Sequence, residues 1–508
     1  MKRRWSLLAG CHLALACSSP QDPKGPGPEL VDVPVPMAAP GELEQPPKAT
    51  GSGTARAMTP APKAELSKRK PRAATKLPEL AYERYQLDNG LTVILHQDNR
   101  LPLAAVSVWY HVGAINERAG RSGFAHLFEH MMFQGSPHVG EDQHFKILEQ
   151  IGATGVNGTT DFDRTNYFET VPANELETAL WLEADRMGFL LTSVTEKSLK
   201  NQIDVVQNER RQSVENAPYG LLEEQITKVL YPEPHPYFGD VIGSMKDIGA
   251  AGLADVQDFF LTNYTPANAV LTVAGDFQTV AVKALIQKYF GSLKGRPKPE
   301  RPQPPMPVLA GEKRIDWQEP VGRLPKFSVV WPGPSAFSED AAALDLLAYV
   351  LSGTRSSRLD KRVSYDDLIA QSSSAHFSEQ LSGGRFSIDV VVRPGRTIEE
   401  AEKAVFQVLD ELDQKPATWE ELDRALNFRE TGIIRGLEQL GNMGGRAEQL
   451  QLYQFYLGDP GKLAWDLSRY QAVTPEDVAR VKAKYLGKNR VIVRATPAAA
   501  GAAQGAAE

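Results

Sequence analysis

One stretch constrains this chain more than any other: Gly123-Phe-Ala-His126-Leu-Phe-Glu129-His130-Met-Met-Phe-Gln-Gly135. Its apolar residues recur at helical spacing and a glycine closes it, which predicts an amphipathic helix. His126 and His130 stand four apart and share one face, a turn apart. Two imidazoles so placed can grip one Zn²⁺ against the helix. Glu129 leans over the same face, and a carboxylate beside a metal can take a proton from a water that the metal activates. The chain has only nine histidines among 508 residues, so a chance pair at ligand spacing with a glutamate between is rare. Phe124, Leu127, Phe128, Met131 and Met132 are expected to form a dry wall around the pair, although alone they would read as ordinary core.

The remaining composition narrows the choices. The only cysteines are Cys11 and Cys17. The globular part therefore has neither a disulfide nor a thiolate metal site, and its zinc ligands must be His and carboxylate. Net charge is −7, with no strong basic block beyond the N-terminal region, which argues against nucleic acid as a partner.

Residues 1–17 read as a secretory signal: Lys2, Arg3 and Arg4 precede an apolar run too short to span a membrane. Leu8-Ala9-Gly10-Cys11 resembles a bacterial lipobox but leaves a very short apolar core; Ala14-Leu15-Ala16-Cys17 has the better core and the poorer box. Either implies a lipid-modified cysteine and a periplasmic protein tethered to the outer membrane of a bacterial envelope, with the lipid anchor its only membrane contact. The other reading is an ordinary cleaved signal and a soluble periplasmic protein. Residues 18–77 are rich in Pro, Ala, Gly, Lys and Glu, hold no aromatic residue, and are expected to be a disordered tether.

From Pro78 the pattern turns globular. Two strands are predicted around Asp88-Asn89-Gly90, and a third over Leu103–Val112 in which His111 is structural. Residues 144–152 read as a short helix with His144 on its surface. Gly155 to Val171, containing Asn157 and Gly158, is strand-like and polar on both faces, which suits a sheet edge. Such an edge either pairs with an extended peptide or simply guards against aggregation. Thr195 is expected to cap a long helix reaching about Ser213. On it Glu209 shares the inward face of Val205 and Val206, and an inward carboxylate needs a partner: an arginine such as Arg210 or Arg211, or the metal.

Gly123–Gly135, the Asn157 segment, Leu180-Trp-Leu-Glu-Ala-Asp-Arg-Met187, and Val205–Arg211 followed by Glu215-Asn216-Ala-Pro-Tyr-Gly220 together resemble the pitrilysin/insulinase family of inverzincins. The resemblance runs from about Glu79 to Pro497. It implies one Zn²⁺ per chain on His126, His130 and Glu209, with Glu129 as general base. It also implies that Asn157 and Gly158 contact a substrate backbone. The fold it implies is α+β: two homologous domains, each a mainly antiparallel sheet packed with helices, as in processing peptidases. The expected division is a zinc-binding domain over 78–293, a Pro- and Lys-rich linker over 294–311, a second domain without the metal motif over 312–497, and a disordered tail over 498–508.

Self-sufficient members of that family carry an Arg and a Tyr seven apart in the second half. Here the matching positions hold Ser364 and Gln371, or Arg362 and Ile369 in the other register, with Tyr365 off-register in both. A homologous second subunit supplying the pair is the inference. A smaller departure is Gln202, where a glutamate is frequent. The expected activity is zinc-dependent cleavage of unfolded segments or oligopeptides. The alternative is a non-catalytic, lipid-anchored assembly or binding subunit that keeps the fold; a hydrolase of small amides fits the two-half architecture poorly.

Overall fold

The computed structural model describes residues 79–498. The signal segment, the tether, Pro78 and the tail beyond Ala498 lie outside the described residues.

Two sheets organise the molecule. The first has strands β1 (Glu83–Gln86), β2 (Thr92–Gln97), β3 (Leu103–Tyr110), β4 (Thr154–Thr160), β5 (Thr165–Pro172) and β6 (Ala269–Gly275), in the order β1-β2-β6-β3-β5-β4. The second has β7 (Lys313–Glu319), β8 (Lys326–Pro332), β9 (Ala370–Ser378), β10 (Arg385–Val392) and β11 (Val491–Pro497), in the order β7-β11-β8-β10-β9. Apart from β1, the second order repeats the first, including one parallel pair in each, β2 with β6 and β7 with β11. The α+β class and the two related halves expected from the sequence are thus present.

The helices of the first half are α1 (Phe124–Met131), α2 (Gln143–Gln150), α3 (Leu176–Phe189), α4 (Glu196–Arg210), α5 (Gly220–Leu230), α6 (Met245–Gly249), α7 (Leu253–Asn263) and α8 (Thr279–Phe290). Those of the second are α9 (Ala341–Leu351), α10 (Arg358–Asp360), α11 (Ile398–Gln414), α12 (Trp419–Leu437), α13 (Arg446–Leu457), α14 (Leu463–Ala472) and α15 (Pro475–Tyr485).

Period-two alternation decides what each face of a sheet meets. Ala104, Val106, Val108 and Tyr110 of β3 enter the core under α1, α3 and α7. The alternate residue Ala105 packs instead with Leu440 and Ala447, and Ile94 and Val270 pack with Leu450. Helix α13 of the second half therefore covers the far face of the first sheet. The converse also holds: Leu222, Ile226 and Leu230 of α5 pack with Val330, Val491 and Val493 of the second sheet. Each half lends one helix to the other.

Several elements depart from the sequence reading. The polar stretch expected as one strand is a hairpin, β4 and β5. Its tip is closed by Asp161, whose Oδ1 accepts the N–H groups of Asp163 (2.7 Å) and Arg164 (2.8 Å). The second sheet begins with β7, Lys-Arg-Ile-Asp-Trp-Gln-Glu, an edge strand whose charges look like loop in sequence. His144 is buried rather than on the surface, with its ring edge-on to Phe133 at 5.4 Å; burial drives its pKa well below the usual value. Val205 faces outward, 38% exposed, and only Val206 enters the core.

Candidate metal centre

Helix α1 lies wholly inside the molecule, with His126 and Glu129 fully buried and His130 nearly so. Its start is fixed by Glu117, whose carboxylate accepts the N–H groups of Gly123 (3.0 Å) and Ala125 (2.8 Å), donors that a helix N-terminus otherwise leaves unpaired. Burial pushes the Glu117 carboxyl up to about 8 against the pull of those N–H groups. Gly123 has φ +85°, and a Cβ there would stand 2.4 Å from the Ile242 carbonyl oxygen. No other residue fits.

Helix α4 starts at Thr195, whose hydroxyl accepts the Ser198 N–H at 3.1 Å, as the capping reading requires. It ends in one wider turn, Arg211–Glu215. Arg210 is not the partner of Glu209: its guanidinium donates to the Gly243 carbonyl (2.6 Å) and to Glu224 (2.7 Å). Arg211 donates to Asn208. Arg210 thereby ties the end of α4 to the loop that abuts Gly123, and this brings Glu209 over α1.

There the Oε2 of Glu209 lies 3.2 Å from His130 Nε2 and 3.7 Å from His126 Nε2, and the two Nε2 atoms are 3.3 Å apart. Tetrahedral zinc with nitrogen and oxygen ligands at about 2.0–2.1 Å places neighbouring ligand atoms about 3.3 Å apart. The three donors converge on that spacing. Burial, and then the neighbouring His130, hold the His126 pKa well below the usual value, the neutral form that a ligating imidazole needs. Lone pairs gathered this closely in a buried site call for a cation between them. His126, His130 and Glu209 therefore fit a zinc ion, and they are the one such cluster among the described residues.

Glu129 projects beside this cluster. Its Oε2 accepts the Thr160 hydroxyl at 2.6 Å. Its Oε1 faces Gly158, where a Cβ would sit 3.0 Å away and would also crowd Phe133 at 3.2 Å. Burial pushes the Glu129 carboxyl up to about 7. Asn157 and Gly158 lie on β4, the last strand of its sheet, with Asn157 opposite Phe168 and Gly158 opposite Tyr167. Asn157 Oδ1 is buried and makes no hydrogen bond among the described residues. Sequence reasoning missed Thr160 and Glu117, whose roles depend on contacts between segments distant in the chain; the one local hint was a threonine two residues after Gly158 in a buried polar strand.

A buried helix with an inverted zincin motif, a glutamate from a second helix and an adjacent sheet edge defines a metallopeptidase type of site on a two-half fold. Comparison with known proteins agrees. Residues 92–235 match the insulinase (peptidase family M16) model, and residues 251–428 match that of the peptidase M16 inactive domain. The chain belongs to the M16 family of peptidases. The zinc protease PqqE of Helicobacter pylori is 29% identical over 367 residues, 72% of this chain and 82% of that protein. The β subunit of the mitochondrial-processing peptidase of Saccharomyces cerevisiae is 26% identical over 238 residues, 45% of this chain and 49% of its own. The crystal structure of a protease from Helicobacter pylori superposes with a TM-score of 0.77 at 27% identity, covering 83% of this chain and 100% of that one.

Proposed function

We propose that this chain is a zinc-dependent endopeptidase that cleaves unfolded segments or oligopeptides. The observation that carries the reading is the convergence of the His126, His130 and Glu209 ligand atoms to 3.2–3.7 Å of one another, with Glu129 alongside. His126, His130 and Glu209 would hold one zinc ion. When bound, zinc supplies the Lewis acidity that makes water a nucleophile near neutral pH and stabilises negative charge on a peptide carbonyl. Glu129 is the general base: its Oε1 is turned toward Gly158 of the substrate edge, and the carboxylate takes a proton from the reacting water and returns it to the leaving amine. Thr160 holds the other oxygen. The backbone of β4 at Asn157 and Gly158 pairs with an extended peptide, and Asn157 Oδ1 offers an unused acceptor. Recognition through backbone groups favours unfolded substrates, because folded proteins rarely present a free strand.

A homologous subunit completes the site. Ser364 is half-buried and Gln371 exposed, and Ser364 Oγ lies 3.1 Å from Ser373 Oγ, so these positions present no cation and no phenol. The named relative that is itself a subunit of a processing peptidase supports a paired assembly. The N-terminal segment would place this assembly in a bacterial envelope, lipid-anchored in the periplasm.

The test is zinc content and cleavage of an unstructured peptide by the chain from Pro78 onward, with Glu129→Gln as control. Zinc-dependent cleavage that the substitution abolishes supports the reading. A zinc-loaded chain that is inert, and stays inert with any copurifying homologue, favours a binding subunit instead.

A further inference from the structure

The β4–β5 hairpin carries Thr160 against Glu129 on one face and the substrate edge along its side. Its other face, its tip and its bulge are all gripped by the half that lacks the metal motif. On the far face, the buried carboxylate of Glu448, on α13, accepts from Asn166 of β5 (3.0 Å), from Trp109 Nε1 of β3 (2.9 Å) and from the Ser107 hydroxyl. Asn166 Oδ1 in turn accepts from Arg164 (2.8 Å) and from the Thr159 hydroxyl of β4. At the tip, Asp163 accepts the Leu381 N–H of the second half at 2.9 Å and the Tyr237 hydroxyl at 2.6 Å. At the bulge, Asn442 lies where a Cβ of Gly155 would be, and the β4–β5 register shifts between Thr154 and Asn157.

We propose that the second half clamps this hairpin to set the position of the substrate edge, with Glu448 and Asn166 as the positioning pair. The inference rests on the peptidase reading above. Strand periodicity gives the coupling. Thr159 and Asn166 form one cross-strand pair, and Thr160 and Thr165 the next, facing the opposite side. Pinning the first pair to Glu448 fixes the second against Glu129, and a one-residue slip would turn Thr160 away from it. Apolar packing by Ala447 and Leu450 already seats α13 on the sheet. A carboxylate costs desolvation that an apolar side chain avoids, and what it adds is a fixed register.

The test uses the full chain with any partner it needs. Glu448→Leu removes the grip, whereas Glu448→Gln can keep an acceptor on Asn166 and Trp109. Hydrogen exchange over residues 154–166, zinc content, and separate KM and kcat values for an unstructured peptide are measured. In Glu448→Leu, with zinc content unchanged and kcat lowered as Thr160 loosens from Glu129, exchange in β4 and KM should each rise about tenfold, the scale of one hydrogen bond to a charged group. Glu448→Gln should restore both. If Glu448→Leu does not fold, Asn166→Ala, which removes the donor to Glu448 together with the acceptor for Thr159 and Arg164, must give at least the same rise in both. A folded variant with β4 exchange and KM at wild-type values overturns the proposal, as does an equal defect in Glu448→Gln. A wild-type chain that cleaves no peptide refutes the peptidase reading, while exchange in β4 still decides the clamp.

Discussion

The Thr160 hydroxyl donates to Glu129 Oε2 at 2.6 Å, and both side chains are buried. This bond fixes how the carboxylate is turned, with Oε2 on Thr160 and Oε1 toward Gly158. Thr160→Val keeps the shape and deletes the donor. A hydrogen bond to a charged group contributes about 1.5–3 kcal/mol, so kcat should fall about 10- to 100-fold with KM little changed. Thr160→Ser should recover most of the rate. Steady-state kinetics on one peptide check both variants; equal loss in the two would mean that the methyl, not the hydroxyl, matters.

Glu209 and Glu129 are both carboxylates at the same cluster, and Glu209 Oε2 lies 3.2 Å and 3.7 Å from the two imidazoles. Loss of an outer partner of a metal ligand commonly costs 10- to 100-fold in affinity, so losing a ligand should cost at least about 100-fold. Glu209→Gln should therefore be purified with little zinc and show weak uptake in a competition titration. Glu129→Gln should bind zinc as the wild type does and cleave nothing. A zinc-replete Glu209→Gln would remove Glu209 from the ligand set.

The sequence exposed the site where chemistry follows from spacing along one helix, and hid it where chemistry needs distant segments. His126 and His130 declare themselves through a four-residue interval. Thr160, Glu117 and Glu448 act on partners reached only through strand pairing or across the two halves, and nothing local marks them. Helical phase was a second limit. Val205 and Val206 stand about 100° apart around the helix, so Glu209 could not share a face equally with both, and the structure gives the inward side to Val206. His144 was misplaced for the same reason, on a helix of eight residues. Strands β6, β7 and β9 went unread: β7 and β9 are polar edges, which in sequence resemble loop, whereas β6 is a buried central strand whose short apolar run was passed over.

The exchange of α5 and α13 makes the two halves mutually dependent. Burying Leu222, Ile226 and Leu230 against the second sheet contributes about 1.5–3 kcal/mol each, together comparable to the 5–15 kcal/mol of a whole domain. The linker offers a cut between Gln303 and Pro304: Arg301 holds Asp163 of the first half, whereas Pro307 abuts Gly383 of the second. Fragments separated there should be poorly folded when produced alone and should form a 1:1 complex when coexpressed. Circular dichroism and size-exclusion chromatography would show this, and two independently stable fragments would refute it.

Glu379 gives the fold a pH dependence separable from the site. Burial, followed by the nearby charge of Asp345, pushes its carboxyl up to about 7, and Arg429 only partly offsets this. The unfolded chain loses that proton near pH 4.5 while the folded chain keeps it to about 7, so the folded state binds more protons in between. The contribution of Glu379 to stability is thus fully present below pH 4.5 and declines as pH rises through 7, a loss of about 3 kcal/mol. Glu379→Gln, neutral at every pH, should be more stable than the wild type at pH 8 and close to it at pH 4.5. Urea denaturation at the two pH values measures the difference. The same stability gap at both would show that Glu379 titrates as an ordinary surface carboxylate.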